Sequence, residues 1–248
     1  MTLRPKDKSI HLKRNNVTNQ TKKGNLYLVS TPIGNLLDIT LRALEILKKT
    51  DLVAAEDTRR SGILLKHFNI KNKLESYHDH NKTQKTPFLI SKLIQGSDIA
   101  LISDAGTPGI SDPAFYLVRQ AVQHNICIIP IPGPSAVLAA LTASGLPTDR
   151  FVFEGFLPPK KKRKKKLEHI AGETATIILY ESPHRLIRTL KDLHEFCGDR
   201  HMAVCRELTK KFEEIVRGTL TEVRENFSQR SSIKGEYVLI MEGAEKTK

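Results

Sequence analysis

Apolar and polar positions along the chain fall into short blocks that alternate between two periods. Residues 25–30 (NLYLVS) form an apolar run that ends in a Pro/Gly turn, as a buried strand does. Thr40 then offers a helix N-cap, and Leu41, Leu44 and Leu47 recur behind it at helical spacing. Residues 51–55 read as a second strand, 58–68 as a second helix and 98–103 as a third strand. A helix over 112–124, a strand over 127–131 and a helix over 135–144 follow, the last with Ser135 as N-cap and Gly145 as its stop. Strand and helix alternating at this spacing predict parallel strands joined by crossover helices.

A second set of blocks begins near Phe151. Strands are expected over 151–156, 176–180, 202–206, 214–218 and 236–241, with a very basic helix over 160–171 and another helix over 186–196. The break falls at 146–149, which gives an N-terminal α/β domain over 24–147 and a C-terminal α/β domain over 148–248. Residues 1–23 are polar and basic, without an apolar core of their own, and read as a flexible tail rather than a secretory signal. The stretch 126–148 carries no charge, yet Pro130, Pro132, Gly133 and Pro134 interrupt it too early for a membrane-spanning helix. It reads better as a buried strand, a tight loop and a core helix.

Composition changes this picture in two ways. The three cysteines, Cys127, Cys197 and Cys205, are scattered and form no CxxC pair, which fits a reducing cytoplasmic setting and neither a disulfide framework nor a zinc site. His78 and His80 have a metal-like spacing but no third ligand, so no metal is expected. The net charge of +13 attracts polyanions, nucleic acid first among them.

Four loops follow predicted strand ends: 31–35, 103–113, 130–135 and 180–185. In open α/β sheets that is where ligands bind. None of the four is a phosphate cradle: GxxxxGK[ST] is absent, and no GxGxxG follows the first strand. An NTPase and an ordinary nicotinamide enzyme are therefore disfavoured. Proline-stiffened loops with a carboxylate suit a phosphate-free ligand such as S-adenosylmethionine (SAM), because little entropy is lost in ordering them. Each loop taken singly is equally well read as a tight turn.

The ordered set GNLYLVSTPIGN (24–35), AAEDTR (54–59), YHDHN (77–81), SDAGTPGISDP (103–113), PIPGPSA (130–136), FEGFLP (153–158), LYESPHR (179–185), CRELTK (205–210) and GEYVLI (235–240) closely resembles the rRNA-modifying branch of the tetrapyrrole methylase superfamily. The resemblance covers about residues 24–243. It implies a class III SAM methyltransferase fold, two α/β/α domains with the cofactor in the cleft between them. It implies transfer of a methyl group to the ribose 2′-hydroxyl of a cytidine in the decoding region of 16S rRNA, as free RNA or small ribosomal subunit, by a homodimer. Carried over by motif, Pro32 and Ile33 would line the cleft floor and Asp104 and Thr107 would lie near the methionine end of SAM. Ser135 and Ala136 would touch the cofactor from the third loop, Leu179 and Tyr180 from the second domain, and Gly235 near adenine. Thr31-Pro32-Ile33 replaces the glycine-rich turn of the small-molecule methylases.

A ribose hydroxyl holds its proton tightly at neutral pH, so a general base would help the displacement. Glu56, Asp57, Glu181, Glu207 and Lys210 are the candidates, each equally readable as a surface or capping residue. Arg59, Arg185 and Arg206 are candidates for holding phosphate, or for structural ion pairs. The run Lys160, Lys161, Lys162, Arg163, Lys164, Lys165 and Lys166 is too dense to stabilise a helix and reads as an RNA footprint. Aromatic residues make up 6% of the chain, with no Trp, so a base-stacking platform is not indicated. Two other readings stand beside this one: a methylase of corrinoid or porphyrin precursors, and a basic RNA-binding assembly factor without catalysis.

Overall fold

The computed structural model describes residues 22–245, so the predicted tail lies almost wholly outside the described residues. The first half is an all-parallel sheet in the order β3-β2-β4-β1-β5, built from Asn25–Val29 (β1), Leu52–Ala55 (β2), Leu74–Ser76 (β3), Ile99–Ile102 (β4) and Cys127–Ile131 (β5). Helices Leu41–Lys49 (α1) and Thr58–His67 (α2) cover one face, burying Ala43, Leu47, Leu64 and Leu65 against Val29, Val53 and Ile102. Lys82–Ile94 (α3) and Ala114–Gln123 (α4) cover the other, where Leu89, Leu93, Leu117 and Ala121 pack on Leu26, Ile99 and Leu101. From the adjacent pair β1 and β4 the chain leaves in opposite directions, to β2 on one side and β5 on the other. The carboxyl ends of these two strands therefore form a topological switch point, the usual crevice for a ligand.

The second sheet is mixed, in the order β6-β7-β10-β8-β9, from Phe151–Phe156 (β6), Thr176–Glu181 (β7), His201–Arg206 (β8), Glu214–Thr219 (β9) and Tyr237–Met241 (β10). Only β6 and β7 run parallel; β10 pairs antiparallel with β7 and β8, and β8 with β9. Arg163–Ala171 (α6), Leu186–Cys197 (α7) and Leu220–Ser228 (α8) bury Leu167, Ile170, Leu190, Leu193, Val223 and Phe227 on one face. The other face is covered by Ala136–Ser144 (α5), whose Val137, Ala140 and Leu141 pack on Ile178, Ala203, Val238 and Ile240. Helix α5 leaves the first sheet after β5 but finds its core on the second, and Arg217 Nε of β9 donates to Ser144 O at its end (3.1 Å).

Local signals act as expected at several ends. Thr40 Oγ1 accepts from Ala43 N (3.1 Å), Ser135 Oγ accepts from Leu138 N (3.4 Å), and Gly145 closes α5 at φ 82°. Leu41, however, is 81% exposed; α1 buries Ala43 and Leu47 instead. The basic helix begins at Arg163 rather than at residue 160, with Lys160–Lys162 preceding it and Lys162 at φ 67°. Keeping three lysines out of the helix relieves the like-charge crowding that a helix over the whole run would impose. Helices α3 and α8 and the short strand β3 are additions to the sequence reading. Among the described residues no helix is long and apolar enough to cross a membrane.

Candidate active site

The first three predicted loops interlock at the switch point. Thr31 N donates to Gly106 O (2.9 Å) and Gly106 N to Thr31 O (3.0 Å), a bridge that ties the loop after β1 to the loop after β4. Thr107 Oγ1 donates to Pro134 O (3.1 Å) and so accepts from Ser30 Oγ (3.0 Å), which brings in the loop after β5. Gly106 sits at φ 80°, a conformation that other residues rarely adopt. Gly133 approaches so closely that a Cβ there would lie 2.9 Å from Ser30 Cβ.

These loops face the ends of β7 and β10 across a cleft of about 520 Å³, within the range usual for cofactor sites. Ile33, Asp104, Thr107, Ser135 and Ala136 line it from the first sheet's loops, and Tyr180 and Gly235 from the second sheet. Pro32 lies outside this cleft and lines an adjoining hollow with Leu36, Arg60 and Leu64. Leu179 does not line the cleft either; strand alternation turns its side chain into the core beneath α6–α8. Tyr180, its neighbour, points the other way and meets Phe153 edge-on and Phe156 at a tilt, at 5.0 and 5.6 Å between ring centres. Burial pushes the Tyr180 hydroxyl above its usual value.

The carboxylates divide sharply by partner. Asp104 is held from two sides: its N–H donates to Glu56 Oε2 (3.3 Å), and its Oδ1 accepts from Asp57 N (2.9 Å). Arg60 Nη1 lies 3.3 Å from Asp104 Oδ2. Glu56 lines the cleft half-buried, and burial raises its pKa. Asp57 instead caps α2, and the Arg59 side chain and N–H hold its carboxyl down at about 2. Glu181 reaches the cleft floor but is fully engaged: Ser182 N (2.7 Å), Thr189 Oγ1 (2.6 Å) and Arg185 Nη2 (3.0 Å) all donate to it. Lys210 bridges Glu207 (2.9 Å) and Glu236 (3.0 Å) away from the cleft lining.

The candidate phosphate-binding arginines are also rearranged. Arg59 is taken up by Asp57, Arg185 by Glu181, and Arg206 by Glu214 (3.7 Å) and Lys234 O (2.8 Å). Arg60, one residue on from the arginine that the motif brought forward, is the one that lines the cleft. Asp112 also lines it; its carboxylate accepts from Gly109 N and Ala114 N, both at 2.8 Å, while burial raises its pKa. In the lysine run, Arg163 is buried, bonded to Asp192 Oδ2 (2.7 Å) and Thr189 Oγ1 (2.8 Å). Lys166 pairs with Glu154. Lys160, Lys161, Lys162, Lys164 and Lys165 remain exposed as the basic surface.

Among the described residues, Glu56, Asp104 and Asp112 thus line the cleft against one lining cation, Arg60, while the lining carboxylates Glu181 and Glu236 are paired with Arg185 and Lys210. An acidic interior suits a cationic sulfonium and an ammonium group and repels the phosphates of a nucleic acid. The cleft lies at the switch point of the parallel sheet and faces the mixed sheet, and a family model names the class. The family model described as Tetrapyrrole (Corrin/Porphyrin) Methylases matches residues 25–224. Solved structures share the fold: uroporphyrin-III C-methyltransferase from Thermus thermophilus complexed with S-adenosyl homocysteine has a TM-score of 0.62 at 19% identity, over 88% of this chain and 97% of that one. A diphthine synthase has a TM-score of 0.68 at 14% identity, over 88% and 90%.

Nearer relatives narrow the class. Ribosomal RNA small subunit methyltransferase I of Halalkalibacterium halodurans is 54% identical over 222 residues, 89% of this chain and 76% of that protein. The protein of that name from Escherichia coli O157:H7 is 51% identical over 227 residues, 89% and 78%. Within the tetrapyrrole methylases, the chain belongs to the ribosomal RNA small subunit methyltransferase I family.

Proposed function

We propose that this protein transfers a methyl group from SAM to the ribose 2′-hydroxyl of a cytidine in the decoding region of 16S rRNA. The coarser statement, SAM-dependent methylation of ribosomal RNA, follows from its family. One observation supports RNA as the substrate, an acid-lined cleft that joins loops of both sheets while the exposed lysines lie on the outside; the cytidine and its ribose 2′-hydroxyl are what the family resemblance implies. RNA held on that surface is kept out of the interior by charge, so that only one nucleotide needs to enter.

Ile33, Asp104, Thr107, Ser135, Ala136, Tyr180 and Gly235 would hold the cofactor. When bound, SAM supplies a methyl group already activated on a sulfonium. The interlocked loops would limit the freedom of donor and acceptor, and such positioning contributes much of the acceleration. Asp104, fixed by Asp57 N and Glu56, presents a pre-oriented carboxylate to the cationic end. Residues 24–147 and 148–248 act as the two domains, in a cytoplasmic homodimer.

The test is methyl transfer from labelled SAM to small ribosomal subunits, free 16S rRNA and a tetrapyrrole precursor, followed by digestion of the RNA to nucleosides. Label in 2′-O-methylcytidine is the expected result. Label only in the tetrapyrrole would make the protein a small-molecule methylase. Calorimetric SAM binding without transfer to any of them would refute catalysis on these substrates.

A further inference from the structure

Resting on the reading above, we infer that the turn from β2 into α2 handles the target ribose, with Glu56 as the base that takes the 2′-hydroxyl proton and Arg60 as the group that holds an adjoining phosphate. Position comes first. Ala55 pairs in register with Ile102, so the chain leaves β2 and β4 side by side. Asp104 N donates to Glu56 Oε2 (3.3 Å), which fixes the glutamate at the lip of the cleft beside the aspartate proposed for the cationic end of SAM. A base must lie within hydrogen-bond reach of the reacting hydroxyl, and this is the lip that a nucleotide reaches.

Partners come next. The Asp57 carboxylate serves the α2 N-terminus and Arg59, and Glu181 is buried beneath Arg185 and Thr189. Glu207 is clamped by Lys210 and Glu236 N (2.9 Å). Among the described residues, Glu56 Oε1 has no such cation or donor, and Oε2 has one amide. The groups facing it are Asp104 on the β4 loop, Asp112 before α4, Asp79 before α3, and Arg60 on α2. Partial burial, aided by the three carboxylates nearby, outweighs the Asp104 N–H bond that favours the ionised form, which makes the carboxylate a better proton acceptor than an exposed one.

Arg60 completes the pair. Its side chain is 67% exposed, and its ion-pair partner among the described residues is Asp104 Oδ2 at 3.3 Å. A guanidinium so loosely held at the rim of an acidic cleft can turn to a phosphate without leaving a buried charge behind. In the step itself the 2′-oxygen forms its bond to the methyl carbon while the carbon–sulfur bond breaks and its electron pair stays on sulfur. The hydroxyl proton passes to Glu56, which returns it to water through the open cleft.

Glu56→Gln keeps an oxygen to accept from Asp104 N and removes the base. It should lower kcat about 100-fold or more while weakening calorimetric SAM affinity far less, by no more than about fivefold. In the ligand-free protein, an infrared pH titration of wild type against E56Q should lose one carboxylate that titrates above the usual range. The wild-type kcat/KM, which reports the free protein, should rise with pH through that same value, because the ionised form is the active one. Arg60→Met should weaken binding of RNA to SAM-free protein, lower the salt slope by about one and raise KM more than it lowers kcat.

A kcat for E56Q within about threefold of wild type would overturn the assignment of the base, and so would loss of SAM binding, which would make Glu56 a cofactor ligand. Should E56Q not fold, Glu56→Asp carries the test: it should keep the acid limb at a reduced kcat, and an unchanged kcat overturns the base. Unaltered RNA affinity and salt slope in R60M overturn the phosphate contact. Nucleoside analysis of the wild-type product separates these failures from that of the parent reading: a methyl group on the base rather than the ribose refutes the latter.

Discussion

Replacing Arg163 by Met should unfold the protein more readily and leave its RNA affinity almost untouched, although the residue sits in the middle of the lysine run. Arg163 is only 5% exposed. It donates to Asp192 Oδ2 (2.7 Å), Thr189 Oγ1 (2.8 Å) and Pro158 O (3.3 Å). Methionine matches the aliphatic stem, so the loss is mainly that of the pair, and breaking a buried pair costs about 3–5 kcal/mol. Asp192 is one-fifth exposed, and Arg188 Nε lies 3.8 Å from the same oxygen, so its charge is not stranded. That places the cost at the low end, about 3 kcal/mol, or about 6–12 °C in Tm for a chain of this size. Guanidinium and thermal unfolding measure it, with Lys161→Met as the exposed control, expected within about 0.5 kcal/mol of wild type. A cost below about 1 kcal/mol, or a salt slope of RNA binding that falls as it does for a lysine, would refute the buried-anchor assignment.

Asp104→Ala should abolish SAM binding in calorimetry, and Asp104→Asn, which keeps an acceptor for Asp57 N, should weaken it about tenfold or more through the lost charge. An affinity unchanged by either would remove Asp104 from the cofactor site. Replacing Lys160, Lys161, Lys164 and Lys165 together by Gln should flatten the salt dependence of RNA binding by about one unit of slope for each phosphate no longer neutralised, with SAM affinity unaffected. A retained slope would place the footprint elsewhere. Thiol titration at pH 8 should modify exposed Cys127 quickly and spare Cys205 until unfolding, because burial pushes that thiol up to about 11.

Much of the framework was legible because periodicity and end signals agree with packing. Thr40, Ser135 and Gly145 mark helix ends by local chemistry that needs no tertiary context. Helix α3 is harder to read: Thr86, Leu89, Ile90 and Leu93 do recur at helical spacing, but Pro87 lies among them and the first turn is polar. Thr86 Oγ1 helps hold that turn by donating to Lys82 O (2.7 Å). Helix α8 carried readable signals, Gly218 and the Thr219–Glu222 capping box, but it follows β9 with no loop between them.

The site was legible as loops and far less so as individual roles. Motifs identify the turns that reach a strand's carboxyl end, which is why Asp104, Ser135 and Tyr180 meet across one cleft. Pairing is a property of the folded chain. That Asp57 is spent on a helix end and Glu181 on Arg185 depends on which of several local conformations the chain adopts, and that Arg60 rather than Arg59 lines the cleft depends on helical phase. Helical spacing puts Arg163 on one face with Leu167 and Ile170, but only the packing of α6 against α7 supplies its partners Asp192 and Thr189.

The placement of α5 constrains how the molecule can move. The residues that lead into it are tied into the knot of loops at the first sheet, while its body is embedded in the apolar face of the second. A hinge that swung the halves apart would have to tear that helix from one bed or the other. The two anchors oppose such a hinge and favour cofactor exchange through a cleft whose sides stay in place.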